Sequence, residues 1–307
     1  MQVIDFDQLE VGAFLSTAIT IGAFDGVHLG HREIFRTLVQ LAKAEKLLPC
    51  AITFQPLPRE VLGENNGRIA ILSFEERKRR IASLGIELLV VVNFTRKFAQ
   101  MEAEKFMELV RAKLNPHLIV VGYDFRFGKD KSADHSWLED YCSRNAIELK
   151  VIPALEVEGE PVSASRIRAL LKAGELEKVN QLLGEPYQLE GKVIHGHHRG
   201  KKMGFATANI SWKKELLVPT GVYIARVAYN HRWYPAVVNI GYNPTFGDKE
   251  LAIEAHLLNF SEELYRKTIR IMLLRRLRDE LKFENVDLLV EQIKKDIAQA
   301  REYFQKK

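Results

Sequence analysis

Ala18-Ile-Thr-Ile-Gly22-Ala-Phe-Asp-Gly26-Val-His28-Leu-Gly-His31 runs from an apolar stretch through a glycine turn to two histidines. Ala18 to Ile21 reads as a buried strand. Arg32 to Lys46 reads as a helix whose apolar face is Ile34, Phe35, Leu38, Val39, Leu41 and Ala42. A strand, a glycine turn and a helix in that order form a junction suited to phosphate. The glycines permit a sharp turn and close approach of an anion to the backbone. The free N–H groups and partial positive charge of a helix N-terminus attract that anion. His28 and His31 lie three apart, on neighbouring positions of one helix face. Two imidazoles there can hold the phosphates of ATP as phosphorus is attacked, lowering the energy of the transition state more than that of the ground state. The positive helix end is expected to depress their pKa values.

Strand and helix patterns alternate outward from this junction. Cys50 to Phe54, Leu88 to Val92, Leu118 to Val121 and Leu149 to Ile152 read as strands. Phe74 to Leu84 reads as a helix, with Ser73 as its cap and Glu76 at the capping-box position. Ala103 to Lys113 reads as another, ended by Asn115-Pro116. This alternation predicts an α/β domain with a parallel sheet and helices on both faces. The pattern changes after Leu183, where Gly184-Glu-Pro-Tyr187 marks a boundary. Gln188 to Ile194, Val222 to Ala228, Tyr234 to Ile240 and Ile253 to Leu258 are short strands separated by turn signals, which predict a small barrel or sandwich. Leu289, Ile293, Ile297, Ala300 and Phe304 form one face of a final amphipathic helix.

The bulk properties fit this organisation. A chain of 307 residues has room for two domains. Its 47% hydrophobic and 28% charged residues are ordinary for a soluble globular protein. Cys50 and Cys142 form no disulfide framework, which points to a reducing, cytoplasmic compartment. The opening Met-Gln-Val-Ile-Asp-Phe-Asp lacks signal-peptide features, and the apolar runs are too short for a membrane span, so no membrane partner is expected. The net charge of +5 suits ATP and other polyanions; by itself it also suits nucleic acid.

The opening string resembles the signature of the nucleotidylyltransferase superfamily, and its Phe-Asp-Gly variant is similar to that of prokaryotic FAD synthetases. Further segments carry the same resemblance: Phe54-Gln-Pro-Leu-Pro-Arg59, Asn93-Phe-Thr-Arg-Lys-Phe98-Ala-Gln-Met101, Val121-Gly-Tyr-Asp-Phe-Arg-Phe-Gly128 and Val162-Ser-Ala-Ser-Arg-Ile-Arg168. The resemblance implies ATP contacts at Gly22, Phe24, Asp25, Gly26, Ser163, Ser165 and Arg168. It implies FMN contacts at Phe54, Asn93, Phe98, Asp124 and Phe125. Ser163 and Ser165 are placed to cap a helix from about Arg166 to Lys172. Aromatic side chains can stack on a flavin, although each of them alone reads equally well as core. Ala164 and Tyr123 depart from the family's usual serine and acidic residue.

A second string, Gly191-Lys-Val-Ile-His195-Gly-His-His-Arg-Gly200-Lys-Lys-Met-Gly-Phe-Ala-Thr207-Ala-Asn209, leads from a strand into a basic glycine loop. Read alone, it is a phosphate loop, a solvated turn or a nucleic-acid contact. Thr207 and Asn209 are two apart and share one face of an extended strand. Their neutral oxygens suit Mg²⁺, which keeps waters and substrate phosphates among its ligands. The string resembles the ATP loop of riboflavin kinases, with Ala206 in place of the usual proline and His197 in place of a frequent acidic residue. That resemblance implies kinase ATP contacts at Gly196, Gly200, Lys201, Thr207 and Asn209, with Mg²⁺ at Thr207 and Asn209. Asn239-Ile-Gly-Tyr-Asn-Pro-Thr-Phe246 resembles a flavin-side turn, and Leu277-Arg278-Asp-Glu-Leu-Lys-Phe283 a closing loop. Asn239 and Arg278 are the flavin contacts that this implies. Glu254, opposite in facing to Ile253 and Ala255 on its strand, falls on the family's catalytic glutamate.

Both signatures, in this order, resemble bifunctional riboflavin kinase/FAD synthetases. The resemblance implies a Rossmann-like nucleotidylyltransferase domain over residues 1–183, then a small antiparallel β-barrel with a C-terminal helix over 184–307. The expected substrates are ATP, riboflavin and FMN, with FAD as product and no nucleic-acid partner; a homo-oligomer stays open. His28, His31 and Glu254 are the expected catalytic residues. One working activity instead of two, a binding protein, and a transferase for another phosphorylated substrate are the rival readings.

Overall fold

The structure is a computed structural model that describes residues 1–63, 69–195, 205–212, 216–242 and 251–306. The chain divides into two compact units, Met1–Ala164 and Ser165–Lys307. Among the described residues no helix is long and apolar enough to cross a membrane.

The first unit is built on six parallel strands: β1 (Gln2–Asp5), β2 (Thr17–Ile21), β3 (Leu48–Phe54), β4 (Leu88–Val92), β5 (Pro116–Gly122) and β6 (Glu148–Ile152). Their spatial order is β1-β4-β3-β2-β5-β6, with every pairing parallel. The connecting helices are α1 (Leu29–Glu45), α2 (Pro58–Leu62), α3 (Phe74–Ser83), α4 (Ala103–Leu114) and α5 (His135–Arg144). Every residue of β2 and β4 is buried, which explains runs without polar alternation. Ile19, Ile21, Cys50, Ile52, Val90, Ile119 and Val121 pack with Phe106, Met107 and Val110 of α4 and with Leu138 and Tyr141 of α5. Intervening strand residues point the other way, and α1 packs across β2, β3 and β5.

Local chemistry sets the element ends. His28 caps α1, so the helix starts at Leu29 rather than at the expected Arg32. Asn115 adopts the left-handed conformation (φ 43°) and Pro116 follows, ending α4 as the sequence predicts. Ser73 accepts from Glu76 N at 3.2 Å and caps α3, but the Glu76 side chain completes no box. It turns to Arg79 and Arg80 at 2.8 and 2.9 Å.

A short hairpin, β7 (Glu156–Val157) with β8 (Glu160–Pro161), leads to α6 (Ala164–Ala173) and α7 (Leu176–Leu183). The helix after Val162 thus begins at Ala164, not near Arg166, and Ser165 lies in its first turn. The α7 helix packs on the barrel strands that follow. Asn180 Nδ2 donates to Leu273 O at 3.0 Å, and Asn180 Oδ1 accepts from Tyr187 N at 2.8 Å.

The barrel strands are β9 (Tyr187–Ile194), β10 (Ala208–Ile210), β11 (Gly221–Tyr229), β12 (Arg232–Gly241), β13 (Ala252–Leu257) and β14 (Thr268–Arg278). They close antiparallel in the order β10-β13-β12-β11-β14-β9, with β9 pairing β10. Tyr223, Ala225, Ala236, Val238, Ala255, Ile271 and Leu273 are buried and fill the interior. The last helix, α8 (Val286–Gln305), covers part of the outer wall: Ala300, Ile297 and Phe304 pack with Ile224, Val237, Leu274 and Leu277.

Candidate active sites

In the first unit the strand order reverses at β2. From β2 the chain builds one side through β3 and β4, then crosses to β5 and β6 on the other. In open α/β sheets, ligands bind beyond the carboxyl ends of the strands at such a switch point. The histidine loop leaves β2 there, and Gly122 to Gly128 leaves β5 there. Phe54, Asn93 and Asp124 follow the same ends of β3, β4 and β5. One edge therefore gathers residues from four separated segments.

The loop itself is tightly wound. Phe24 has φ 46°, Gly26 φ 91° and Val27 φ 45°. A Cβ on Gly22 would lie 2.8 Å from the Phe24 ring, so a larger residue there would push that ring aside. Phe24 turns inward, 4.6 Å from Phe35 and edge-on to His31 at 5.4 Å. Asp25 is also buried, and its Oδ1 accepts from Ile71 N at 2.8 Å. Both side chains hold the loop in shape. Burial pushes the Asp25 pKa up to about 6, against the pull of the Ile71 amide, Arg77 and Arg59.

His28 and His31 stack with ring centroids 3.6 Å apart. His28 sits at the cap, outside the helix proper, and Gly30 leaves room for its ring: a Cβ there would be 3.3 Å away. His28 Nδ1 accepts from His31 N at 3.4 Å, which leaves the ring proton on Nε2 as a donor. His31 Nδ1 is buried without a hydrogen-bond partner among the described residues. Burial pushes the His28 pKa down to about 4, and burial, then His28 and Arg77, holds His31 well below the usual range. Desolvation is the leading cause, where the helix end was the expected one. The result is a pair of neutral imidazoles at the N-terminus of a long helix.

The aromatics expected on the flavin side form a wall. Phe54 lies 5.6 Å from Phe94 and 6.3 Å from Phe98, and Phe125 stacks on Phe127 at 5.1 Å. Phe127 and Phe94 are buried, whereas Phe54, Phe98 and Phe125 are only partly so. Asn93 and Asp124 are exposed. In Val162-Ser-Ala-Ser-Arg-Ile-Arg168, Ser163 belongs to the first unit, whereas Ser165 and the buried Arg168 belong to the second.

In the barrel, strand register does what loops do in the first unit. Asn209 of β10 stands opposite Glu254 of β13. Glu254 stands opposite Asn239 of β12. Asn239 stands opposite Val222 of β11, and Val222 opposite Arg278 of β14. Directly opposed residues share a face, so residues from three sequence motifs and a fourth at Arg278 lie in one row across five strands. Glu254 alternates with the buried Ile253 and Ala255, which puts the row on the outer wall. Irregularities in the β11–β14 pairing between Val222 and Ala225 set this register. Arg278 is the end of a strand, not part of a loop. Its Nε and Nη2 contact the buried Asp296 of α8 at 3.0 and 2.8 Å. Thr207 directly precedes β10, and His256 Nδ1 lies 2.8 Å from Ala206 O. Gly196, Gly200 and Lys201 fall outside the described residues.

A switch-point junction with stacked histidines marks the first unit as a nucleotidylyltransferase-like domain, and the barrel row is a second candidate site. Family models agree: FAD synthetase matches residues 13–166, and riboflavin kinase matches 183–304. The bifunctional riboflavin kinase/FMN adenylyltransferase of Bacillus subtilis is 37% identical over 94% of this chain and 92% of its own length. The one from Escherichia coli is 31% identical over 93% and 92%. A solved Streptococcus pneumoniae structure, described as a macrolide-efflux protein, superposes with TM-score 0.87 at 31% identity, covering 97% of this chain and 98% of that one. The chain belongs to the family of bifunctional riboflavin kinase/FMN adenylyltransferases and carries both enzyme domains.

Proposed function

We propose that both sites work in this chain and that they act in sequence. At the barrel, riboflavin and ATP give FMN and ADP. Glu254 takes the proton of the ribityl 5′-hydroxyl as its oxygen attacks the γ-phosphorus. Asn239 and Arg278 lie toward the flavin, with Thr207, Asn209, Gly196, Gly200 and Lys201 toward ATP. One geometric fact supports this division: Asn209, Glu254 and Asn239 stand side by side on adjacent strands. The neutral oxygens of Thr207 and Asn209 beside a carboxylate fit Mg²⁺, a hard ion content with few protein ligands. When bound, it neutralises charge on the phosphoryl group.

At the first unit, a phosphate oxygen of FMN attacks the α-phosphorus of ATP and pyrophosphate leaves, giving FAD. His28 and His31 donate to phosphate oxygens as charge builds there. Gly22 and Gly26 bring backbone close, Phe24 and Asp25 shape the loop, and Ser163, Ser165 and Arg168 act on ATP phosphates. Phe54, Phe98 and Phe125 flank the flavin, with Asn93 and Asp124 as polar contacts. The functional division is drawn at 1–183 and 184–307, at the Gly184-Glu-Pro-Tyr187 punctuation, whereas the compact units part earlier, between Ala164 and Ser165, and α7 packs on β9 and β14. The partners are small molecules in the cytoplasm.

The test is a time course with riboflavin, excess ATP and Mg²⁺, then with FMN in place of riboflavin. FMN accumulating before FAD supports both assignments. No FAD from added FMN would sink the first-unit assignment, and no FMN from riboflavin the barrel's.

A further inference from the structure

The loop from Ala23 to Val27 holds two non-glycine residues, Phe24 and the β-branched Val27, at positive φ. Left-handed backbone is unfavourable for such residues and persists only where the surroundings over-determine it. Here the restraints converge on one carbonyl. Ala23 O accepts from Arg77 Nη1 at 2.8 Å and from Thr53 Oγ1 at 3.3 Å. The same guanidinium turns Nη2 to Phe54 O and to Gln55 Oε1, both at 2.9 Å. Arg77 is therefore a bridge between the loop that leads to His28 and the strand end that carries Phe54.

Its environment makes that bridge costly as a mere packing device. Arg77 is 2% exposed, and its Nε is buried with no partner among the described residues. Burial pushes its pKa down to about 10, opposed by Asp25 and Glu60, so it stays cationic at neutral pH. Apolar residues of similar volume often stabilise an interior as well as a buried charge does. What an apolar residue lacks is the planar fork of donors that reaches carbonyls in two directions.

We infer that Arg77 is a positioning residue for adenylyl transfer, fixing the separation of the ATP-side loop and the FMN-side aromatic wall through the Ala23 and Phe54 carbonyls. This rests on the assignment of the first unit to FMN adenylylation. Each substrate keeps its own contacts when the bridge is removed, so binding is largely spared. What suffers is the alignment of two reactants held by different segments, and small misplacements of that kind cost rate steeply.

The experiment uses the full chain with Arg77→Met and Arg77→Lys. FAD formation from FMN and FMN formation from riboflavin are measured on the same preparation, and the folded fraction is followed by circular dichroism. Arg77→Met is expected to lower kcat for FAD formation about 100-fold per folded molecule. KM for ATP and for FMN should stay within about threefold, with the kinase unchanged. Arg77→Lys keeps the charge but not the fork and should fall between; if the Met variant fails to fold, the Lys variant carries the same test. A kcat per folded molecule equal to that of the unsubstituted chain would make Arg77 purely structural and overturn the inference. So would a rise in KM with kcat intact. Absence of FAD formation by the unsubstituted chain would overturn the first-unit assignment itself, and the inference with it.

Discussion

The two units build their candidate sites in opposite ways. In the first, residues far apart in sequence meet because parallel strands end at the same edge, and their loops are then fixed by buried polar anchors such as Asp25 and Arg77. In the second, Asn209, Glu254 and Asn239 meet because antiparallel strands are in register, and the positions are set by the ladder itself. A loop-built site depends on its anchors. A register-built site depends on strand pairing and on the side chains in the row. The two should therefore break differently under substitution.

The largest contrast is at the row. Glu254→Gln keeps shape and removes the base, so FMN formation should fall about 10²–10⁴-fold while FAD formation from FMN is retained. Loss of both activities in folded protein would end the separation of the sites. Next in size is the clasp behind the row. Asp296→Ala strips the buried partner from Arg278 and should destabilise the barrel by about 3 kcal/mol, near the low end for a broken buried pair because Arg278 is partly exposed. Urea unfolding of the barrel, read by Trp233 fluorescence, checks this, and an unchanged midpoint would show the clasp to be idle.

Acid should also separate the units. His28 has a folded pKa depressed from 6.5 to about 4, so its contribution is full above pH 6.5 and is lost as the pH falls through 4. Asp25 has a folded pKa raised from 3.8 to about 6, so its contribution is full below 3.8 and is lost as the pH rises through 6. Each corresponds to about 3 kcal/mol, and between pH 6 and 4 they oppose one another. His31 sides with His28. Acidification from pH 6 to 4 should therefore cost the first unit more stability in Asp25→Asn than in the unsubstituted chain, and less in His28→Asn. Unfolding midpoints read by Trp137 decide it; identical pH slopes in all three chains would contradict the burial argument. The smallest effect is expected at His256. Its contact with Ala206 O restrains the segment before Thr207, where family members usually have proline. His256→Ala should cost about 1 kcal/mol, seen as a several-fold rise in the kinase KM for ATP, with adenylylation unaffected. Ala206→Pro in that background should recover part of it.

Much of this was legible in the residues. Apolar runs at β2, β4 and β5 announced a parallel sheet, and the glycine turn before His28 pointed to the edge where the candidate site lies. The final helix showed in its apolar spacing. Strand β14 did not show. Ile269, Ile271 and Leu273 alternate with polar or mixed neighbours, but the irregular pairing near Arg275 and Arg276 interrupts the period of two, and Arg278 read as loop. Helix α3 hid a different fact. Glu75-Glu-Arg-Lys-Arg-Arg80 is a continuous charge run, no part of which the sequence alone places in the interior, yet Glu76, Arg77 and Arg80 are buried. Charge along a sequence reports what must be neutralised or bonded, and only the fold shows whether water or a carbonyl does it. Strand β1 and helices α5 and α7 were likewise missed.

The barrel closes through the pairing of β9 with β10, and β10 is only three residues long. Asn209 sits in that joint, opposite Ile194. A ring held by one short joint parts there before it parts elsewhere, and a ligand that grips Asn209 favours the closed ring by mass action. If nucleotide is that ligand, as proposed for the kinase site, its occupancy and the closure of the barrel are one equilibrium.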